Sequence, residues 1–229
     1  MRRLYWFQNN LRVQDNPGLL AQTDAEQLLL VYLWPKNRPW CNLTGMGAQR
    51  ERFLVESLQA LRDELADYGQ SLMILQGSAE LVIPELVRDY GIDRVDTSRT
   101  PGYYERRSLE VLRERLPVPV EVHRGDTLFD ETDLPFALED LPGQFTPFRK
   151  RIEDLAFTAA SPRPDALPPP PAARFDRLPP SDATPSAALP IRGGSGAGHR
   201  RLRQFVFEQQ SIIRYKETRN CLDGLDGSS

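Results

Sequence analysis

The sequence predicts an α/β domain built on a doubly wound, five-stranded parallel sheet, followed by a Pro-rich linker and an incomplete helical segment. Three observations predict it. Short apolar runs alternate with amphipathic stretches across residues 1–158, the order expected of strands and crossover helices. The run LLLVYLW, Leu28–Trp34, is apolar without interruption, as a strand covered on both faces must be. Ten of the 20 prolines fall between Pro162 and Pro190, where no helical or strand period survives.

RLYWF (Arg3–Phe7) reads as the first strand, followed by a polar turn and a short helix around Gly18–Gln22. Leu28–Trp34 is the second. In RERFLVESLQALRDELADYG, Phe53, Leu54, Leu58, Leu61 and Leu65 recur at three- and four-residue steps, which makes a long helix stopped by Gly69. Ser71–Gly77 is the third strand. AELVIPELVRDYG is the helix after it, closed by Gly91, with Pro84 near its first turn, where the missing N–H is tolerated. Asp93–Ser98 is the fourth strand, Tyr103–Leu116 a third strong helix, Val120–Gly125 the fifth strand and Phe145–Leu155 a last helix. In a doubly wound sheet, ligands sit at the carboxyl ends of the strands, where strand order reverses. Small-molecule chemistry is therefore expected just after strands one, two and four.

The stretch Ser161–Pro190 reads as an extended spacer, partly polyproline II, in preference to a Pro-rich recognition segment. RGGSGAG (Arg192–Gly198) reads as a flexible turn. HRRLRQFVFEQQSIIRYKETRN reads as one amphipathic helix with Leu202, Phe205, Val206, Ile212 and Ile213 on its apolar positions. This helix has no domain of its own to pack on, so it either docks on the α/β domain or begins a missing one.

Composition excludes several classes. A net charge of −3 leaves no bulk nucleic-acid footprint. Cys41 and Cys221 have neither metal nor disulfide spacing, and His123 and His199 stand isolated in sequence, so no metal site and no nucleophile–base pair is proposed. No apolar run reaches membrane-spanning length or forms a signal peptide, and a cytoplasmic, soluble protein is expected.

Four segments carry candidate chemistry. In WFQNNLRVQDN, Trp6–Asn16, polar groups occupy the place where such a sheet offers a ligand, but a turn held by Asn and Asp side chains, with an Arg12–Asp15 ion pair, is preferred. In RTPGYYERR, Glu105 either complements the helix dipole or accepts hydrogen bonds from an NH-rich heterocycle beside a tyrosine ring, and the residues leave both open. FTPFRKR, Phe145–Arg151, reads as one side of a helix packing on the sheet. The tail, with Tyr215, Lys216 and Arg219, suits a phosphate-bearing ligand, against which stands a fraying terminus.

Taken in order, these segments resemble a known family. WFQNNLRVQDNP resembles the WFRNDLRLHDNP signature that opens photolyases and cryptochromes. GAQRERFLVESLQALRDEL, LPGQFTPFRKRIE and the closing GG…AG…RL…YKETRN…G.D.SS pattern resemble the further landmarks of the DASH cryptochrome branch. The resemblance covers nearly the whole chain apart from the linker. It implies a Rossmann-like, antenna-binding α/β domain at residues 1–158, an interdomain linker at 159–198, and the truncated start of a helical FAD-binding domain at 199–229. The antenna implied by the branch is 5,10-methenyltetrahydrofolate. In a full-length parent, light-driven electron transfer from reduced FAD would repair cyclobutane pyrimidine dimers, chiefly in single-stranded DNA held by the missing domain.

By the same resemblance, Glu105 is similar to the acidic residue that contacts the antenna pterin, and Tyr215 to a tyrosine near the flavin phosphates. Ser228 and Ser229 are similar to the start of a Ser/Thr-rich loop for the FAD pyrophosphate. No catalytic residue is assigned, and the chain alone is expected to be inactive as a deoxyribodipyrimidine photo-lyase. The alternative is a non-enzymatic blue-light photoreceptor or a stand-alone chromophore-binding module. A nucleotide-binding protein of the electron-transfer-flavoprotein type is a third class, opposed by the motif order and by the lack of a Gly-rich phosphate loop after strand one. The chain departs from the family signature at Gln8, where arginine is common, at Asn10, where aspartate is common, and at Val13 and Gln14.

Overall fold

Each apolar run becomes a strand of one all-parallel sheet in a computed structural model that describes residues 1–35, 45–129, 131–156, 159–172 and 191–218. The strands are β1 (Arg2–Phe7), β2 (Gln27–Trp34), β3 (Leu72–Gln76), β4 (Arg94–Ser98) and β5 (Val120–His123), in the order β3-β2-β1-β4-β5. The helices are α1 (Pro17–Leu20), α2 (Ala48–Ala66), α3 (Ala79–Tyr90), α4 (Tyr103–Arg115), α5 (Phe145–Ile152), α6 (Ser195–Arg203) and α7 (Tyr215–Thr218). From β1 the chain builds outward to β3, then returns to lay β4 against the other side of β1, pairing Trp6 with Thr97. The order reversal at β1/β4 is the switch point of the doubly wound sheet.

Alternate side chains of the central strands feed two cores. Leu4, Trp6, Leu29, Val31 and Met73 face Ile83 and Val87 of α3 and Leu112 of α4. Tyr5, Phe7, Leu28, Leu30 and Leu72 face Leu58, Leu61 and Leu65 of α2 and Leu19 of α1. Each fully buried Leu or Ile contributes about 1.5–3 kcal/mol of transfer free energy, so the unbroken apolarity of β2 is what two covered faces require. Gly69 and Gly91 follow α2 and α3 at φ 66° and 59°, the left-handed conformation that stops a helix cheaply only with glycine. Pro84 lies further inside α3 than its first turn, which removes the N–H that the Glu80 carbonyl would otherwise receive.

The proline-rich stretch is not a free spacer over residues 159–172. Pro164, Leu167, Pro168 and Pro171 are buried, and Leu167 joins the α2-side core. β2 begins three residues before β3 reaches it, at Gln27, since Leu30 is the first residue to pair, with Leu72. The strap fills that overhang: the Leu28 N–H donates to the Pro169 carbonyl at 3.0 Å, and the Gln70 amide donates to the carbonyls of Leu28 and Pro168. Prolines have no N–H to satisfy and little backbone entropy left to lose, so such a segment docks through its carbonyls and rings. At the strap's start, the Asp15 N–H donates to the Ser161 carbonyl at 3.1 Å while the Ser161 N–H donates to Asp15 Oδ1 at 3.0 Å.

Two further expectations are corrected. Helix α5 has no buried residue and does not pack on the sheet; Phe148 stacks with Phe136 and Phe145, and Arg151 lies 5.2 Å from the Phe136 ring centre. The single helix expected from His199 starts earlier, at Ser195, and is broken. A π-turn over Gln204–Glu208 follows α6, Gln210 turns left-handed at φ 51°, and a 3-10 turn over Ser211–Arg214 leads to α7. Only Phe205 of its apolar set is buried, while Leu202, Ile212 and Ile213 are exposed. A helix takes most of its stability from a packed apolar face, and this one has little to pack on among the described residues.

Docking of α6 is local and depends on glycine. Arg52 donates to the Ile191 carbonyl at 2.8 Å, the Gly193 N–H to Glu56 Oε2 at 2.7 Å, the Gly194 N–H to Ser57 Oγ at 3.1 Å, and Ser195 Oγ to Glu64 Oε1 at 2.7 Å. A Cβ on Gly193 would sit 2.2 Å from the Phe53 carbonyl oxygen and 2.7 Å from the Ser57 nitrogen, both backbone atoms that cannot yield. Gly193→Ala is therefore expected to detach this segment at a cost of about 1–3 kcal/mol. Limited trypsin digestion should show faster cleavage at Arg200–Arg203, while the circular-dichroism spectrum of the sheet domain stays that of the parent chain.

Candidate functional site

The carboxyl ends of β1, β2 and β3 open into a cleft of about 630 Å³ that continues over the start of α4, a size suited to a small organic ligand. Its base is Trp6–Asn9 at the end of β1 together with Tyr32–Pro35 at the end of β2. One wall is α2 with Arg50, Phe53, Leu54 and Ser57; the other is the start of α3 and the first turns of α4, with Glu80, Tyr104, Glu105 and Ser108. Ser195, the first residue of α6, reaches the same cleft.

The walls differ in charge. Arg12 and Arg50 belong to the α2 side, and burial pushes the Tyr32 phenol up to about 12, with the Arg50 charge opposing part of that rise. The α3/α4 side carries the two carboxylates. Glu80 accepts a hydrogen bond from the Ser108 hydroxyl. Glu105 sits in the first turn of α4, where the helix dipole favours a negative charge, and folds back over Gly102. A Cβ on Gly102 would lie 2.1 Å from Glu105 Oε2, so glycine at that position lets the carboxylate adopt its place. Tyr103 and Tyr104 are exposed and meet edge to face, with ring centres 5.4 Å apart.

The loop leaving β1 combines both readings made of it. It is a turn held by its own polar side chains: Asn16 caps α1 through Oδ1 and returns Nδ2 to the Arg12 carbonyl at 3.0 Å, and Arg12 pairs with Asp15. It also supplies Gln8, Asn9, Leu11 and Arg12 to the cleft. Beneath it lies a fully enclosed polar group. Tyr5 donates to Asn16 Oδ1 at 2.8 Å and lies 2.9 Å from Ser98 Oγ, while Asn10 Nδ2 donates to the Tyr5 hydroxyl at 2.9 Å and to Ser98 Oγ at 2.7 Å. Burial pushes the Tyr5 phenol above its ordinary value despite these bonds.

His123 is not isolated. Its Nε2 lies 2.7 Å from Oδ1 of Asp96, a fully buried carboxylate that also accepts from Arg94 Nε at 2.8 Å. The partners are 27 residues apart and meet only because β4 pairs with β5, so sequence spacing could not reveal them. Burial pushes the Asp96 carboxyl up, and the hydrogen bonds from His123, Arg94 and Gln22 together outweigh it, leaving the group below its ordinary value. The ion cluster lies outside the cleft, on the α1 side of the sheet. The sequence signal for it is an Asp in the middle of an otherwise buried strand.

Of the four cofactor-contact residues that the resemblance implies, Glu105 lines the cleft, as do Gln8, Asn9 and Arg12 of the loop after β1. Tyr215 begins α7, is 42 % exposed and meets Phe205 edge-on at 6.3 Å, outside the cleft lining. Ser228 and Ser229, with Arg219, Trp40, Cys41 and Cys221, lie outside the described residues. Among the described residues there is no group of three metal-ligating side chains, and no helix is long and apolar enough to cross a membrane.

Residues 3–171 match the DNA photolyase family. Over 232 residues the chain is 34 % identical to a cryptochrome DASH of Idiomarina loihiensis, covering 99 % of this chain and 51 % of that protein. It is equally 34 % identical to a cryptochrome DASH of Gloeobacter violaceus, covering 99 % and 48 %. The crystal structure of a Synechocystis cryptochrome superimposes with a TM-score of 0.87 at 29 % identity, over 98 % of this chain and 50 % of that one. A doubly wound α/β domain with a cleft at the carboxyl ends of its strands is thus joined to a specific set of relatives. The chain belongs to the DNA photolyase family, and within it to the DASH cryptochrome branch. It spans about half the length of the curated relatives it matches.

The Asp96 cluster yields a prediction about acid stability. A carboxyl held below the ordinary value of about 3.9 contributes stability that is complete above that pH and is lost as pH falls through the lower folded value. Asp96→Asn should cost about 2–4 kcal/mol at neutral pH by leaving Arg94 and His123 facing a neutral amide. Denaturant unfolding at several pH values should show a flatter acid limb for Asp96→Asn than for the parent chain.

Proposed function

We propose that residues 1–158 form the antenna-binding domain of a DASH-type photolyase/cryptochrome, and that the cleft takes a reduced folate such as 5,10-methenyltetrahydrofolate. The observation that carries this is Glu105, held over Gly102 at the cleft by the first turn of α4. A carboxylate placed there accepts two hydrogen bonds from the amino and ring N–H edge of a pterin, and the aromatic residues Trp6, Tyr32, Trp34 and Tyr104 offer ring faces. The bound folate would supply near-ultraviolet absorption; the residues of this chain bind it, orient it and exclude water from it.

The same reading makes residues 159–198 the interdomain linker and residues 199–229 the start of a helical FAD-binding domain. Tyr215, Ser228 and Ser229 would then be the first contacts of an FAD site. The full-length protein would use FAD for light-driven repair of cyclobutane pyrimidine dimers in single-stranded DNA, in the cytoplasm. Family membership and the exposed apolar positions Leu202, Ile212 and Ile213 support this reading. A photoreceptor without repair activity is the second reading, favoured by the same family assignment.

Glu105→Gln replaces one of two acceptor oxygens by a donor and removes the charge, and should weaken 5,10-methenyltetrahydrofolate binding about tenfold or more. Fluorescence titration of the 229-residue chain measures this. Parent and variant chains binding the folate equally would remove Glu105 from the site and this reading with it.

A further inference from the structure

The Arg12 side chain faces two ways. It lines the cleft, and one edge of its guanidinium holds the turn at Asp15: Nε donates to the Asp15 carbonyl at 3.0 Å, and Nη2 lies 3.5 Å from Asp15 Oδ2. Nη1 has no hydrogen-bond partner among the described residues, so the guanidinium can take a further acceptor without releasing Asp15. Asp15 is in turn an attachment point of the strap. Its N–H donates to the Ser161 carbonyl at 3.1 Å, and its Oδ1 accepts from the Ser161 N–H at 3.0 Å. Asp15 also stands at φ 52°, a conformation that relaxes once its partners let go. Two side chains, Arg12 and Asp15, therefore connect the cleft to the strap.

The strap has few other seats. Leu167 enters the α2-side core, the Gln70 amide donates to the Pro168 carbonyl, and the Leu28 N–H donates to the Pro169 carbonyl at 3.0 Å. A segment held by so few bonds opens locally without unfolding the sheet. The Leu28 N–H reports that opening, since lifting the strap gives it to solvent.

We propose that Arg12 couples the cleft to the strap: a ligand acceptor taken on Nη1 fixes the guanidinium and, through Asp15, holds the strap down. An arginine mobile in the cleft loses rotamer freedom whenever it bonds to Asp15. Once a ligand has immobilised it, that loss is already met and the bonds to Asp15 persist. This rests on the reading of the cleft as a folate site, since folate oxygens supply the acceptors. It goes beyond that reading by making cleft occupancy control the segment that leaves the sheet domain. Linkage makes the effect reciprocal, so a docked strap raises ligand affinity by the factor by which the ligand favours docking.

Amide hydrogen exchange of the 229-residue chain, with and without saturating 5,10-methenyltetrahydrofolate, tests the coupling. The folate should slow exchange at Asp15, Ser161 and Leu28 about fivefold or more. Arg12→Met keeps the length of the side chain and removes the guanidinium. Asp15→Gly keeps the left-handed turn and removes the carboxylate. Ser161→Pro removes only the strap's N–H from the pair, and covers the case in which a variant in the loop does not fold. In all three the folate, once bound at saturation, should leave Leu28 exchange unchanged. Asp15→Gly should also bind the folate about fivefold more weakly, although residue 15 is not part of the cleft lining. Folate bound by the parent chain without any slowing at Leu28, or slowing that survives in all three variants, overturns the coupling and leaves the folate site standing. A parent chain that binds no folate overturns both.

Discussion

The structure depends on a knot of four buried polar side chains at the point where strand order reverses. Tyr5 from β1, Ser98 from β4, and Asn10 and Asn16 from the intervening loop are all at most 3 % exposed and bond to one another. In a low-dielectric interior each of these bonds is strong and each unmade one is costly, so the network permits one arrangement of the loop. That arrangement starts α1 at its Asn16 cap and presents Gln8, Asn9, Leu11 and Arg12 to the cleft. The knot is not fully satisfied: Asn10 Oδ1 is buried with no hydrogen-bond partner. The loop thus holds its geometry at a local cost, which is where natural proteins tolerate such costs, beside a site.

From that loop the constraint passes to the strap. Asp15 adopts φ 52°, unfavourable for a residue with a side chain, and is held there from two directions. Arg12 Nε donates to its carbonyl at 3.0 Å, and Ser161 closes the reciprocal pair with its N–H and Oδ1. Arg12 lines the cleft, and Ser161 begins the segment that runs down to cap the overhang of β2. On the other side, Ser195 joins the cleft through its seat on α2. The segments before residue 173 and after residue 190 are therefore both anchored to residues that line or adjoin one cavity.

The strands and helices of the sheet domain were legible in the sequence because they obey a local rule, a period of two or 3.6 with glycine at the stops. What was not legible is what depends on distant partners. Asp96 finds His123 across two strands, and Gln8 takes its orientation from Thr97, 89 residues away. The strap looked like a spacer because proline erases periodicity, yet a segment without N–H groups is well suited to lie on a sheet edge that needs carbonyls. The helix expected from His199 failed for the opposite reason: its apolar spacing is good, but spacing supplies a face and not a partner. Glu105 could be singled out because its signals are local, a Pro-Gly turn followed by a carboxylate in the first turn of a helix.

The asymmetry of the cleft follows from this same architecture. Helix N-termini point toward the carboxyl ends of the strands, so α3 and α4 each favour a carboxylate in the first turn, and Glu80 and Glu105 occupy those places. The α2 wall begins further from the switch point and carries Arg50, while the β1 loop brings Arg12. A ligand that fits both walls at once has donors on a ring at one end and an anion at the other, with aromatic surface between. A nucleotide would have the opposite fit, since its phosphates would seek the helix N-termini that the two glutamates already occupy. The two glutamates thus set hydrogen-bond acceptors at the helix starts where the fold alone would favour a bound anion.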